Sequence, residues 1–155
     1  APGRFVWRRD EVDASLAHAT QPLPAKQGVE WLVGEALSNL IVGLQRHARG
    51  ERLAAMRMIQ VHALDRVLEF LERQEPGSPA TIAARDPFNV DRRIEMRSSQ
   101  AARALPVWAG GYERTVSAAL ALLAALEAHD VVPAEVSGHI RMLATMAAGV
   151  SAEDA

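Results

Sequence analysis

"WLVGEALSNLIVGLQRHARGERLAAMRMIQVHALDRVLEFLE", residues 31–72, decides the fold. Around its first half Val29, Val33, Ala36, Leu37, Leu40 and Leu44 recur at steps of three and four, the spacing of one helix face, over about residues 25–49. Gly50 then stands where a helix wants its C-terminal cap. Glu51 opens a second helix, with Leu53, Met56, Leu64, Val67 and Leu71 on one face, that ends before Pro76-Gly77. A connection this short makes the two an antiparallel hairpin. With the bend at Gly50, Asn39 is expected opposite Gln60 or Val61 and Gly43 opposite Arg57. Gly43 and Gly34 are expected to permit close backbone approach.

Outward from the hairpin, residues 75–84 form a Pro/Gly/Ser-bearing connector, and Asp86-Pro87 has the form of a cap and first turn for a short helix carrying "NVDRRIEMR". A further helix is predicted from Ser98 to Trp108, limited by Pro106 and closed by Gly110-Gly111. Tyr112 to His129 comes next, with Val116, Leu120, Leu123 and Ala124 as its inner stripe. Pro133 begins the last helix, marked by Val136, Ile140, Leu143 and Ala147. On the N-terminal side, "GRFVWRRD" has the alternation of a strand, and Pro22 and Pro24 prevent a helix from forming across residues 20–24. No later segment alternates and no repeat is visible. The predicted fold is therefore all-α, an antiparallel bundle of four to five helices built on a long helical hairpin, with a short N-terminal strand or extended segment. Residues 1–24 read as an extended segment and proline-containing linker, a remnant of a preceding domain; residues 25–148 form the helical domain, and 149–155 a frayed tail.

The 155 residues suffice for one domain with its own core, and 49% apolar with 23% charged residues is a globular composition. Seventeen basic and nineteen acidic residues leave a net charge of −2, which gives no overall attraction for nucleic acid or an anionic membrane. Cysteine is absent, so thiol nucleophiles and thiolate metal sites are excluded, in keeping with a cytoplasmic location. Neither a membrane anchor nor a signal peptide is expected.

The first helix has an unusual second flank. Trp31, Leu32 and Val42 border a stripe holding Glu35, Asn39 and Arg46, spaced by four and seven residues. A carboxylate buried there without a partner would cost several kcal/mol, roughly. The stripe admits two readings. Glu35 pairs with Arg57 and Asn39 with Gln60 inside the bundle, or Trp31, Glu35, Asn39 and Arg46 line a cleft for a polar, hydroxyl-bearing small molecule. Arg57 and His62 fit the loose arginine–histidine spacing of helical ribonucleases, a pattern that chance readily produces. His18, His47, His62, His129 and His139 show no metal-site spacing, so no metal is expected on this chain. Arg92, Arg93 and Arg97 could grip a phosphate but more often form exposed ion pairs. Met56, Met58, Met142 and Met146 are expected to pack.

The segments "ALSNLIVGLQRHARGERLAAMRMIQVHALDRVLEFLE" and "DPFNVDRRIE", with the strand and proline linker before them, resemble the C-terminal helical domain of two-domain antibiotic nucleotidyltransferases of the lincosamide type, over about residues 5 to 130. The resemblance implies an N-terminal domain in which a Gly-Ser turn and an Asp-x-Asp pair hold magnesium and a nucleoside triphosphate. The helical domain then lies across the cleft, binds the acceptor hydroxyl and contributes to dimerisation. This chain departs from the family at the decisive place: its Gly77-Ser78 follows a helix, and no Asp-x-Asp occurs. What is implied is the substrate-side half, inactive alone, with Trp31 as an apolar wall and Glu35, Asn39 and Arg46 as hydrogen-bonding groups. Glu35 would be the candidate general base in the complete enzyme. The rival expectations are a helical, antitoxin-like dimerisation or interaction module and, third, a ribonuclease using Arg57 and His62.

Overall fold

The structure, a computed structural model, describes residues 7, 9–11, 27–74, 85, 86 and 88–153, with side chains through 149. It is the all-α bundle that the sequence predicts. The strand expected at "GRFVWRRD", the proline linker, Pro87 and the 75–84 connector lie wholly or largely outside the described residues. Trp7 is exposed.

Helix α1, Val29–Ala48, ends where the N–H groups of Arg49 and Gly50 turn back onto the carbonyls of Arg46 and His47. Gly50 takes φ 81°, a left-handed conformation that glycine adopts without steric cost. The return rod has three parts: α2, Arg52–Arg57; a π-helical turn, Met58–Ala63; and α3, Leu64–Gln74. The two limbs run antiparallel, since Arg46 pairs with Glu51 at the bend while Trp31 meets Arg66 near the far end.

The close approach falls at Gly43, where an added Cβ would stand 2.6 Å from Ile59 Cγ1. Gly34 has nothing within 4 Å of such an atom, so it does not serve this purpose. Arg57 does not face Gly43, and Leu53 is not an inner residue but 60% exposed. The reason is helical phase: both stand two residues from buried Ala55, about 200° around the helix, and turn outward with the opposite face. On α1 the inner face includes Leu32, whereas Val29, in the first turn, is 37% exposed.

The second layer begins with α4, Ile94–Arg97, and α5, Ser99–Trp108, which ends just after Pro106. A 3-10 turn, Tyr112–Arg114, leads into α6, Thr115–Glu127, and α7, Ala134–Glu153, closes the bundle. The short helix expected after Asp86 starts late. The Asp86 carboxylate instead accepts from the backbone N–H groups of Phe88 and Asn89, and Arg93 turns into α4 with φ 60°. Helix α7 packs along α1 and α6, and α6 covers the π turn. Leu40, Leu44, Ile59, Val67, Phe70, Leu122, Leu123, Leu126 and Ile140 are fully buried between the layers, each side chain contributing about 1.5–3 kcal/mol. Helix α6 is apolar nearly all round, which blurs its phase in the sequence: Ala118, Ala119 and Leu122 are inside while Ala124 is exposed. Met142 and Met146 stand on the surface, contrary to their expected packing role, while Met56 and Met58 are half-buried. Helix α7 continues to Glu153, beyond the start of the expected frayed tail.

Candidate functional site

The outer flank of α1 carries the residues singled out in the sequence. Trp31 lies in the first turn, 43% exposed, with the Arg66 guanidinium 5.6 Å from its ring centroid. At that distance the cation is attracted by the ring face. Arg66 is held in turn by Glu69 at 2.8 Å. Glu35 stands one turn later and is exposed. The desolvation cost expected of a buried carboxylate therefore does not arise, and Glu35 needs no compensating cation.

Asn39, one turn further on, is half-buried, and its Nδ2 donates to the Glu35 carbonyl at 2.8 Å. This bond fastens the amide to its own helix. It leaves the Asn39 oxygen and second N–H without a protein partner among the described residues. Val42, 36% exposed, is three turns from Trp31 on the same stripe. Arg46 is committed elsewhere: it pairs with Glu51 at 2.7 Å, and Arg49 reaches the same carboxylate at 3.0 Å. The hydrogen bond from Arg49, with both positive charges, holds the Glu51 carboxyl below the usual glutamate range. Trp31, Glu35 and Asn39 thus stand on successive turns of one flank, while Arg46 braces the bend.

The intrabundle pairs expected for these residues do not form. Arg57 is exposed on the far face, away from Glu35. Gln60 is buried and bonded to the second layer: its Oε1 accepts from the Gly111 N–H and its Nε2 donates to the Gly111 carbonyl, both at 2.8 Å, and to Thr115 Oγ1 at 3.2 Å. An amide facing a peptide group in this way satisfies both polar atoms of each. The π turn puts it there. Such turns recur at functional sites, and here the visible effect is to aim one polar side chain into the apolar seam between layers. The sequence held a signal for it, a glutamine in the middle of an apolar run, but pointed to Asn39 rather than Gly111 as its partner.

Next to Arg66, burial pushes the Asp65 carboxyl up and the Asp91 charge adds to the effect, while Arg66 and His62 oppose it. Arg57 and His62 are both exposed and form no hydrogen bond or ion pair among the described residues. Two of the three arginines considered for phosphate are occupied: Arg92 pairs with Asp86 at 2.8 Å, and the buried Arg97 side chain bonds to Glu72 and to the Val90 carbonyl. The bond from Arg92, with the backbone N–H of Phe88, holds the Asp86 carboxyl below its usual range. Among the described residues, no group of three or more His, Asp or Glu side chains is placed to hold a metal ion. No described helix is long and apolar enough to cross a membrane. Comparison with protein-family models, curated proteins and solved structures finds no match to this chain.

Proposed function

We propose that this chain is the acceptor-binding helical domain of a two-domain nucleotidyltransferase of the lincosamide type. The reading rests on the sequence resemblance. The observation in its favour is that Trp31, Glu35 and Asn39 occupy successive turns on a flank of α1 left open to solvent. An indole face offers an apolar wall, and a carboxylate with a free amide oxygen and N–H offers the few directed polar contacts that orient a hydroxyl-bearing ligand. A second domain carrying magnesium and the nucleoside triphosphate would face this flank and close the pocket. Magnesium held by carboxylates there would neutralise the phosphate oxygens, while Glu35 would accept the proton of the hydroxyl that displaces pyrophosphate.

Incubated with magnesium, a nucleoside triphosphate and a lincosamide, this chain alone is expected to transfer nothing. Robust turnover would overturn the proposal. In a complete two-domain enzyme Glu35→Gln should lower kcat by about 10²–10⁴-fold, the usual contribution of a general base, with a small effect on KM. An unchanged kcat would remove Glu35 from the chemistry.

A second reading is favoured by Trp31 and Val42 being exposed on one stripe, since exposed apolar side chains along one helix face suit a helical interaction or dimerisation module. Sedimentation of the wild type and of a Trp31→Ala, Val42→Ser variant separates the two. A dimer lost in the variant supports a seam; a monomer in both supports a ligand face.

A further inference from the structure

His47 lies away from the Trp31–Asn39 flank. It sits in the last turn of α1 and is only 4% exposed, enclosed where α1 meets α7 and the start of α2. One ring nitrogen bonds to the backbone of Ala147 in α7, and the other, Nδ1, is buried with no hydrogen-bond partner among the described residues. The ring that donates to a carbonyl through Nε2 is neutral, with a bare lone pair on Nδ1. A proton added at Nδ1 would bring a charge and a donor into a place where no described residue accepts it.

The surrounding charges oppose protonation on balance. From α2, Arg52 presents a cation; from the 3-10 turn, Glu113 presents an anion, already paired with Arg52 at 2.9 Å. The Arg52 guanidinium also lies 4.9 Å from the Tyr112 ring centroid. On α7, residues 142–149 contain no ionisable side chain. Along α1 and the bend, Arg46 and Arg49 both engage Glu51.

We propose that His47 is a pH-sensitive latch for the C-terminal half of α7, which stays docked on α1 while the imidazole is neutral and is released when it is protonated. Release would uncover apolar surface on both helices, since Leu40 and Leu44 of α1 and Ile140, Leu143, Ala144 and Ala147 of α7 are buried. Burial, followed by the Arg52 charge, lowers the affinity of His47 for a proton in the docked state. The undocked state has the ordinary histidine affinity, so acidification below about pH 6.5 favours undocking.

Hydrogen exchange followed by mass spectrometry, corrected for the intrinsic rate at each pH, tests the latch. In the wild type, protection of residues 140–149 should fall as pH drops below about 6.5, by at most about tenfold per pH unit, the limit set by uptake of one proton. Helix α3 should keep its protection. In His47→Phe, which retains a ring but does not titrate, the loss should vanish. Wild-type protection of α7 that stays constant from pH 7.5 to 5.0 would overturn the proposal, as would an equal loss in α3 or the same loss in the variant. Should His47→Phe fail to fold, the wild-type profile with its α3 control still decides, and an imidazole that titrates at or above the ordinary histidine value by NMR would also overturn the latch.

Discussion

A methyl group on Gly43 would meet Ile59 Cγ1 at 2.6 Å and Ile59 Cδ1 at 2.8 Å, well inside contact distance. Gly43→Ala should therefore destabilise the protein by about 1–3 kcal/mol, the usual cost of overpacking a core. Urea unfolding gives the value, and an added Ile59→Val change should recover part of it. At the same scale, two buried charges differ from the surface pairs. The Arg97 side chain is 3% exposed and bonded to Glu72, which Arg85 also approaches at 3.5 Å. Removing the Glu72 charge by Glu72→Gln leaves Arg97 buried against a neutral amide and should cost about 3–5 kcal/mol. Glu51→Gln, at the solvent-exposed bend, should leave the urea midpoint nearly unchanged. Equal costs for the two would refute this distinction. The sequence showed both glutamates as helix carboxylates. What separates them is the tertiary position of Arg97, which no local spacing encodes.

At the scale of elements, the π turn joins α2 to α3 and aims the Gln60 side chain at backbone of the second layer. Gln60→Ala would orphan the N–H of Gly111 and remove the bond to Thr115, while the Gly111 carbonyl would keep the Arg114 N–H as its donor. An orphaned group that stays dry costs about 1–3 kcal/mol. Hydrogen exchange should show the loss first at Gly111 and across residues 58–63, and a variant with wild-type protection there would contradict the clamp. Ser98 caps α5 by accepting from the Ala101 N–H, so Ser98→Ala should cost about 0.5–2 kcal/mol. Helices α1 and α5 and the bend at Gly50 were legible because helical periodicity and glycine stops are local signals. The phase of Leu53 and Arg57 was not, because a helix with apolar residues on several faces leaves the buried one to be chosen by its neighbour. The π turn was also hidden, since the contact that accompanies it, Gln60 with Gly111, joins residues fifty-one positions apart in the chain.

For the whole molecule, acid sensitivity has a defined order. His47 has a lowered proton affinity in the folded state, so its contribution to stability is present above about pH 6.5 and is lost as pH falls below it. Glu51 and Asp86, also lowered, lose theirs only in the ordinary carboxyl range. Asp65 has the opposite sign: raised by burial, it favours folding when protonated and opposes it at neutral pH. Asp65→Asn should therefore move the urea midpoint upward at pH 7 and leave it little changed at pH 3; a lower midpoint at pH 7 would contradict the burial argument. The bundle itself was readable from the hairpin. The candidate site was readable as three residues on one flank, Trp31, Glu35 and Asn39. Its fourth expected member, Arg46, is paired with Glu51 at the bend, a contact that the helical spacing of the stripe does not encode. Which surface covers the flank is the central question, and the sequence of the gene upstream of the Ala1 codon answers it most directly. A Gly-Ser turn followed by an Asp-x-Asp pair in the same reading frame is the expected result, and an upstream sequence without that pair would contradict the account.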